Sequence, residues 1–347
     1  MKKLTPKQNI FLLFAVFVTF NIVFFIAKLW YSQFLIGTLV NFVFIVLLTE
    51  DATKFISARH IKGYERFLAI GFPVMMMIGW ELVVRAEILN PRWFPPPSKI
   101  VVALWDMIIS YDKFTKTSLL GRPWLIPAMY KELGWDGIMI LIKESHILAT
   151  LYRVIIGFII GSIPGIILGV VMGVSRSVRI MLDTFISAIY VLPKIAIFPI
   201  MMLMFADPFG EGPKVAVVAI SAFFLVAINT MAGVVGVESV YLEAGKNYGA
   251  NRLQMFRHVI LPGALPVIFA GLRLALGTAL IVIVAIEFVR AKTGIGFLTF
   301  YYWEIMVPEK MYAGLVLVML LGAALTAFLQ WIEKLVMPWQ KGRSSGS

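Results

Sequence analysis

Long apolar runs constrain the fold of this chain more than any other feature of its sequence. Eight runs come close to the roughly 20 helical residues that cross a hydrocarbon core, and they cover residues 10–29, 33–49, 67–84, 147–172, 180–205, 214–237, 265–289 and 311–336. Hydrophobic residues make up 60% of the chain and charged residues only 14%, which is too apolar for a soluble domain. Helices satisfy their own backbone hydrogen bonds in lipid. The sequence therefore predicts an all-α integral membrane protein with about eight transmembrane helices.

The first two runs predict a membrane hairpin within residues 1–66. Only Trp30-Tyr31-Ser32 separates them, and Trp and Tyr are favoured at the membrane interface. A polar connector at 50–66 would follow. The basic start of the chain, with Lys2 and Lys3, also fits a signal peptide. Because no small-residue cleavage site follows the first run and a second run begins at once, we favour a retained helix.

Lysine and arginine are distributed unequally between the two predicted sides of the membrane. The poorer side holds Lys214, Arg290, Lys292 and Lys310 in short connections. The richer side includes both termini and the connections at 50–66 and 238–262. Cytoplasmic loops carry the excess of Lys and Arg, so both termini and the segment 238–262 are predicted to be cytoplasmic. This orientation explains the net charge of +12 without nucleic-acid binding.

The cytoplasmic segment 238–262 has the sequence of a rigid helix–turn–helix. Ser239 can cap a first short helix that Gly249 ends. Asn251 can cap a second helix, which Pro262 would close before the next apolar run. Its polar groups have no partners in lipid, so the segment lies at the membrane surface. A rigid loop in this place is suited to docking onto a partner.

This loop resembles the cytoplasmic signature of permease subunits in bacterial ABC importers. That signature runs Glu-Ala-Ala, three residues, Gly, nine residues, Ile, one residue, Leu-Pro. The matching positions here are Glu243, Ala244, Gly249, Leu261 and Pro262, with Gly245 in place of the second Ala and Val259 in place of Ile. In that family the loop forms a coupling helix that sits in a groove of a separate ATPase subunit.

The resemblance implies a set of ATPase-coupling residues and a set of partners. The coupling residues are Glu243, Ala244, Gly245, Lys246, Gly249, Arg252, Leu261 and Pro262. The partners are cytoplasmic ABC ATPase subunits, a second permease copy that is identical or homologous, and an extracytoplasmic substrate-binding protein. The chain would be a non-catalytic subunit in the bacterial inner membrane that binds no cofactor, since the partner ATPase would hold ATP and Mg.

Further motifs narrow the resemblance to the branch for nitrate, sulfonate, taurine and bicarbonate. They lie at residues 95–100, 150–158, 192–199, 271–277 and 285–298. They imply a six-helix type I permease core over residues 67–338, with the N-terminal hairpin added in front. The implied activity is ATP-driven import of a small anion by alternating access. Lys194 departs from the branch, in which an apolar residue or Pro is usual at this position.

Ionisable residues within the apolar runs are costly and therefore informative. Arg153 and Glu287 lie at similar depths near the outer ends of their runs, and we expect an ion pair that closes or shapes the outer path. A purely structural ion pair would use the same two residues. Lys194 would face an anion or, as the alternative, snorkel or face a cavity, while Asn229 and Thr278 would bind cargo or serve helix packing. The candidate translocation-path residues are Arg153, Pro193, Lys194, Asn229, Thr278 and Glu287.

Glycine and proline suggest how the helices pack and where they break. Glycine recurs every fourth residue at positions 157, 161, 165, 169 and 173. One helix face would then lack side chains, so another helix can approach its backbone closely. Pro164, Pro193, Pro199 and Pro266 can kink or break their helices. Broken helices often line a path, but inert kinks have the same sequence pattern.

The segment 87–146 is predicted to be external. Ser98 would cap an amphipathic helix whose apolar stripe includes Ile100 and Leu104. Residues 111–145 look like an insert relative to the family. A helix in the headgroup region is the default interpretation, and contact with a substrate-delivering protein is the alternative. The tail 339–347 ends in a Gly- and Ser-rich stretch that resembles an artificial addition.

The residues that other functional classes require are absent from this sequence. There is no Gly-x-x-x-x-Gly-Lys-Ser/Thr phosphate loop, so the chain cannot hold ATP in the usual way. There is no Cys, and three scattered His do not make a metal-binding cluster. Two rival hypotheses are an ion-coupled secondary transporter, which usually shows internal symmetry, and a membrane scaffold for a cytoplasmic partner.

Overall fold

The computed structural model describes residues 6–56, 60–112 and 117–339. The predicted all-α class is confirmed, although Tyr111–Asp112 and Thr117–Ser118 pair as a short antiparallel ladder. The chain divides into two compact units, Met1–Val101 and Val102–Ser347. Several residues used for the sequence interpretation lie outside the described residues: Lys2, Lys3, Arg59 and the tail from residue 340 onward.

The first unit begins with the predicted helical hairpin. Its helices are α1 (Pro6–Ile26), α2 (Leu29–Ser32), α3 (Phe34–Thr53) and α4 (Ile61–Arg85). The amides of Asn21 and Asn41 exchange hydrogen bonds of 2.8 and 3.1 Å between α1 and α3. The connector is shorter than predicted because α3 and α4 both extend into it. Paired amides of this kind fix the register of two helices in lipid.

The next helix, α5 (Pro97–Ile109), corrects a predicted cap. Ser98 lies inside its first turn, and its N–H and hydroxyl donate to Glu81 at 3.0 and 2.7 Å. The insert then forms strands β1 (Tyr111–Asp112) and β2 (Thr117–Ser118), a 3₁₀ turn and α6 (Ile126–Glu144). Gly134 interrupts α6 with φ 60° and ψ −137°, a conformation that glycine adopts at low cost.

The remaining helices form the main bundle. They are α7 (His146–Val174), α8 (Arg176–Val191), α9 (Lys194–Met204), α10 (Glu211–Val235), α11 (Ser239–Asn247), α12 (Arg252–Met255), α13 (Leu261–Arg290), α14 (Ile295–Glu304) and α15 (Pro308–Val336). Within the described ranges, seven helices are long and apolar enough to cross a membrane, and the bent pair α8–α9 would make an eighth.

The predicted span at 180–205 is broken at Pro193, one of the prolines expected to kink or break a helix. The helices α8 and α9 meet at a bend of 97°. Leu192 has φ −58° and ψ 135°, the extended conformation that a following proline favours. Pro193 thus breaks its helix, whereas Pro164, Pro199 and Pro266 lie inside continuous helices.

The glycine face of α7 packs directly against α10, as predicted. A Cβ added to Gly161 would lie 2.0 Å from the carbonyl oxygen of Ala219, and one on Gly169 would lie 2.5 Å from that of Ala227. Gly157, Gly165 and Gly173 make similar approaches to α10. The backbones of α7 and α10 are therefore in direct contact, and many residues of α10 are buried.

Candidate functional site

The predicted helix–turn–helix at 238–262 is formed, and its turn depends on Gly249. This residue has φ 74°, which a side chain would disfavour. Its N–H donates to Lys246 at 2.9 Å, and the N–H of Ala250 donates to Gly245 at 3.0 Å. These two bonds make a Schellman motif that ends α11 in a defined direction.

The caps of the two short helices are only partly as predicted. Asn251 accepts from the N–H of Gln254 at 2.9 Å, and the Gln254 side chain accepts from the Asn251 N–H at 2.9 Å, which completes a capping box. Ser239, in contrast, is the first residue of α11 rather than its cap. Glu238 occupies the N-cap position, without a side-chain cap bond.

The predicted break at Pro262 does not occur. A π turn at Phe256–Ile260 joins α12 to α13, so one helical segment runs from Arg252 to Val289. Proline lacks an N–H and crowds the carbonyl one turn earlier. The wider π turn before Leu261 and Pro262 accommodates both effects without ending the helix.

Gly245, where the signature has alanine, packs against the flexible end of the Met255 side chain. A Cβ at this position would lie 2.8 Å from Cε and 3.0 Å from Sδ of Met255. The Met255 side chain therefore occupies the space that an alanine methyl group would need. Gly245 lets the two short helices of the loop pack closely together.

The loop presents apolar side chains to solvent. Tyr248 is 92% exposed and Leu253 is 73% exposed, while Glu243, Ala244 and Lys246 beside them are also exposed. We call Tyr248 and Leu253 the loop tip. An open cavity of about 730 Å³ adjoins it, lined by Tyr241, Gly245, Tyr248, His258, Pro262 and Trp339. Exposed apolar side chains on this rigid polar loop are available for contact with a partner.

A second cluster, near the predicted outer ends of the helices, is built around Arg153. Its guanidinium forms the expected ion pair with Glu287, at 2.6 Å from Nη1 to Oε1. Nε and Nη2 also bind Glu211, the latter at 2.9 Å, and Nη1 donates to the carbonyl of Thr293 at 2.6 Å. Arg153 is 1% exposed. Every nitrogen of the fork has a partner, as burial of such a charge requires.

The carboxylate of Glu287 is equally well satisfied. It accepts from the hydroxyl of Thr150 at 2.9 Å and from the N–H of Gly296 at 2.8 Å. The Thr150 hydroxyl in turn accepts from the N–H of Ile295 at 2.9 Å. We call Arg153, Glu211, Glu287 and Thr150 the outer network. It ties α7, α10 and α13 to the start of α14.

Sequence reasoning missed Glu211 and the role of Lys214. The predicted span started at 214, and Lys214 was interpreted as a cation in a loop. In the structure α10 starts at Glu211, and Lys214 is buried with its Nζ 3.1 Å from Glu211. The two positive charges of Arg153 and Lys214 thus balance the two negative charges of Glu211 and Glu287. The spacing of Glu211 and Lys214 at i and i+3 was the available signal.

The other candidate path residues do not join the outer network. Lys194 follows the break at Pro193, binds the carbonyl of Tyr190 and lies over the Tyr190 ring, 4.4 Å from its centre. Asn229 donates to Leu225 at 2.8 Å and Thr278 donates to Leu274 at 2.9 Å. Each of the three side chains bonds to a carbonyl one turn back on the chain.

Another charged pair was not singled out from the sequence. Nη2 of Arg273 on α13 lies 2.5 Å from Oε2 of Glu333 on α15. Among the described residues, groups of three or more His, Asp or Glu that could hold a metal ion are absent.

The family described as "Binding-protein-dependent transport system inner membrane component" matches residues 165–338. This chain belongs to that family. The matched half contains the whole helix–turn–helix, together with Glu211, Glu287, Arg273 and Glu333 of the two charged clusters.

The relatives confirm the branch that the sequence motifs indicated. The taurine transport system permease protein TauC of Escherichia coli is 28% identical over 272 residues, covering 78% of this chain and 89% of that protein. A putative aliphatic sulfonates permease, SsuC of E. coli, is 32% identical over 267 residues, 77% of this chain and 89% of that protein. The nitrate import permease protein NrtB of Leptolyngbya laminosa is 30% identical over 270 residues, which cover 78% of this chain and 87% of that protein.

Among solved structures, an inward-facing form of the MetNI methionine ABC transporter is similar with a TM-score of 0.45 and 19% identity. The similarity covers 62% of this chain and 96% of that one.

Proposed function

We propose that this chain is the membrane-spanning permease subunit of an ATP-driven importer for a small anion. The observation that carries the proposal is the rigid helix–turn–helix with its exposed loop tip, within the family match. The anion is suggested by relatives whose names specify taurine, aliphatic sulfonates and nitrate. ATP and Mg would be held by a separate ATPase, and hydrolysis would take place there.

The loop is suited to transmit movement into the membrane. The segment Arg252–Val289 is a single helical segment of 38 residues, which at about 1.5 Å per residue is roughly 57 Å long. The Schellman turn and the capping box fix α11 to its start. When an ATPase draws the loop inward, α13 moves with it, and the cavity between two permease copies opens to the outside. Hydrolysis of ATP then resets the inward-facing state.

The outer network would hold the outer ends of α7, α10 and α13 as one body during this movement. In this role Arg153 and Glu287 shape the outer path without touching cargo, because their polar atoms already have protein partners. Lys194, Asn229, Thr278 and Pro193 remain proposed lining residues of the inner path.

The rest of the chain is assigned accordingly. Residues 1–66 form the additional N-terminal hairpin and 67–338 the permease core, with 238–262 as the coupling loop. Both termini face the cytoplasm, and 87–146 faces the extracytoplasmic side, where a binding protein delivers cargo. Residues 339–347 form a tail outside the core.

Co-purification tests the coupling proposal. The tagged chain is isolated in mild detergent from its native cells, beside a loop-tip variant, Tyr248→Ala with Leu253→Ala. Because exposed aromatic anchors dominate interface affinity, the variant should retain about tenfold less of an ATPase bearing a phosphate loop, as measured by quantitative mass spectrometry.

The matched control is Tyr130→Ala with Leu133→Ala, which removes the same two exposed residue types from α6. It should retain the ATPase. Absence of any ATPase from the unaltered chain, or equal loss from both variants, would contradict the coupling role.

A further inference from the structure

Arg273 is a charged residue within an apolar run that is long enough to span a membrane. It lies eight residues from the inner end of the apolar run 265–289, or about 12 Å at 1.5 Å per helical residue. Ionisable side chains at such depth are rare, and they commonly face a pathway or a paired charge.

The pairing of Arg273 is incomplete. Only one ion pair is formed, from Nη2 to Glu333, and Nε is buried without a hydrogen-bond partner among the described residues. A guanidinium offers two parallel N–H groups that match two oxygens of a carboxylate or another oxyanion. Glu333 uses one side of this fork. If Glu333 moved aside, Nη2 and the unpaired Nε would be free to bind two oxygens of another oxyanion.

Glu333 is placed where it can leave at low cost. It belongs to the last turn of α15, which ends at Val336, and its side chain is 19% exposed. Lys334, next to it, is exposed. A carboxylate near the aqueous end of a helix loses little when one partner is withdrawn.

The face of α13 around Arg273 is open. Ala270 and Gly277, one turn before and after it, are exposed, and a Cβ added to Gly277 would meet no atom within 4 Å. Residues at these spacings share one face of a helix. The Arg273 side chain is itself 38% exposed. A small oxyanion can therefore approach the guanidinium from this face.

We propose that Arg273 binds the anionic cargo within the translocation path, and that Glu333 occupies the same guanidinium between transport events. The cargo takes the place of the carboxylate by exchange of hydrogen bonds, and no covalent step is involved. Nitrate, sulfonates and carboxylates share the required oxygen spacing. The proposal rests on the proposed function as an anion importer and adds the residue that contacts the anion.

Uptake by the complete transporter in proteoliposomes tests the proposal. The probes are ¹⁵N-nitrate, ¹⁴C-taurine and ¹⁴C-bicarbonate, each with saturating binding protein and internal ATP. For the anion that is imported, Arg273→Gln should lower maximal uptake roughly tenfold or more, since the charged donors are lost. Glu333→Gln removes the competing carboxylate and should preserve or raise uptake. The double variant should be as poor as Arg273→Gln alone.

A purely structural ion pair gives a different pattern. Each single variant would then impair uptake similarly, and the double variant would recover because no unpaired charge remains. That pattern, or normal uptake by Arg273→Gln, would overturn the assignment of Arg273 while leaving the importer intact. Lys334→Gln is the matched control and should transport normally. If the unaltered complex assembled with its ATPase but imported none of the three anions, the anion proposal itself would fail, and the role of Arg273 with it.

Discussion

Arg153 and Arg273 each lie within a long apolar run, 147–172 and 265–289 respectively, and the contrast between them is instructive. Arg153 is completely buried, and all three of its nitrogens are bound by Glu211, Glu287 and Thr293. Arg273 is partly exposed, has one carboxylate partner and leaves Nε without a bond in the described part of the chain. A saturated guanidinium holds helices together. A guanidinium with an unpaired donor, such as that of Arg273, is available to bind a ligand.

The largest loss of folding free energy is expected when Arg153 is replaced. Arg153→Gln leaves Glu287 buried without its cation and leaves Glu211 with Lys214 alone, and loss of one partner from a buried ion pair typically costs about 3–5 kcal/mol of folding free energy. Unfolding by SDS in mixed micelles measures this loss. Arg176→Gln, which removes an exposed arginine from the start of α8, is the control. A cost at Arg153 no larger than at Arg176 would remove the basis of the comparison.

A smaller effect is expected where a neutral member of the outer network is altered. Thr150→Val removes the hydroxyl that joins Glu287 to the N–H of Ile295. The buried N–H then lacks this partner, which costs about 1–3 kcal/mol in the same assay. Ser221→Ala is matched to it, because the Ser221 hydroxyl is equally buried but binds only Val217 of its own helix. Equal costs for the two variants would show that the network has no special role.

The smallest effect on stability is expected at Arg273. A partly exposed ion pair contributes less than about 1 kcal/mol, so Arg273→Gln should unfold almost like the unaltered chain even though it transports poorly. If Arg273→Gln lost nearly as much stability as Arg153→Gln, both arginines would serve to hold helices together. The Arg273–Glu333 pair would then be structural.

Local patterns made much of the fold and of the helix–turn–helix at 238–262 predictable. The repeat of Gly157 and Gly161 implied close helix contact, and Gly249 with Asn251 implied a turn between capped helices, since each signal depends on neighbours in the chain. The pairing of Arg153 with Glu287 followed from the cost of isolated charges in lipid.

Long-range choices were not predictable in this way. Glu211 as the second carboxylate on Arg153, and Glu333 as the partner of Arg273, depend on how α10 and α15 pack. Pro193 and Pro262 have the same sequence signal, yet one breaks its helix and the other lies in a continuous one. At Pro262 the preceding π turn supplies room for the proline ring.

That π turn also sets the angle, around the helix axis, between the residues before it and those after it. One extra residue within a helix turns everything beyond it by about 100° around the axis, since each turn holds 3.6 residues. The direction in which the loop tip faces, relative to the face of α13 that carries Arg273, is therefore fixed by the residue count between Phe256 and Ile260. Insertion or deletion of a single residue there would leave both surfaces folded but aim them in different directions, so docking and transport would be uncoupled although each surface remained intact.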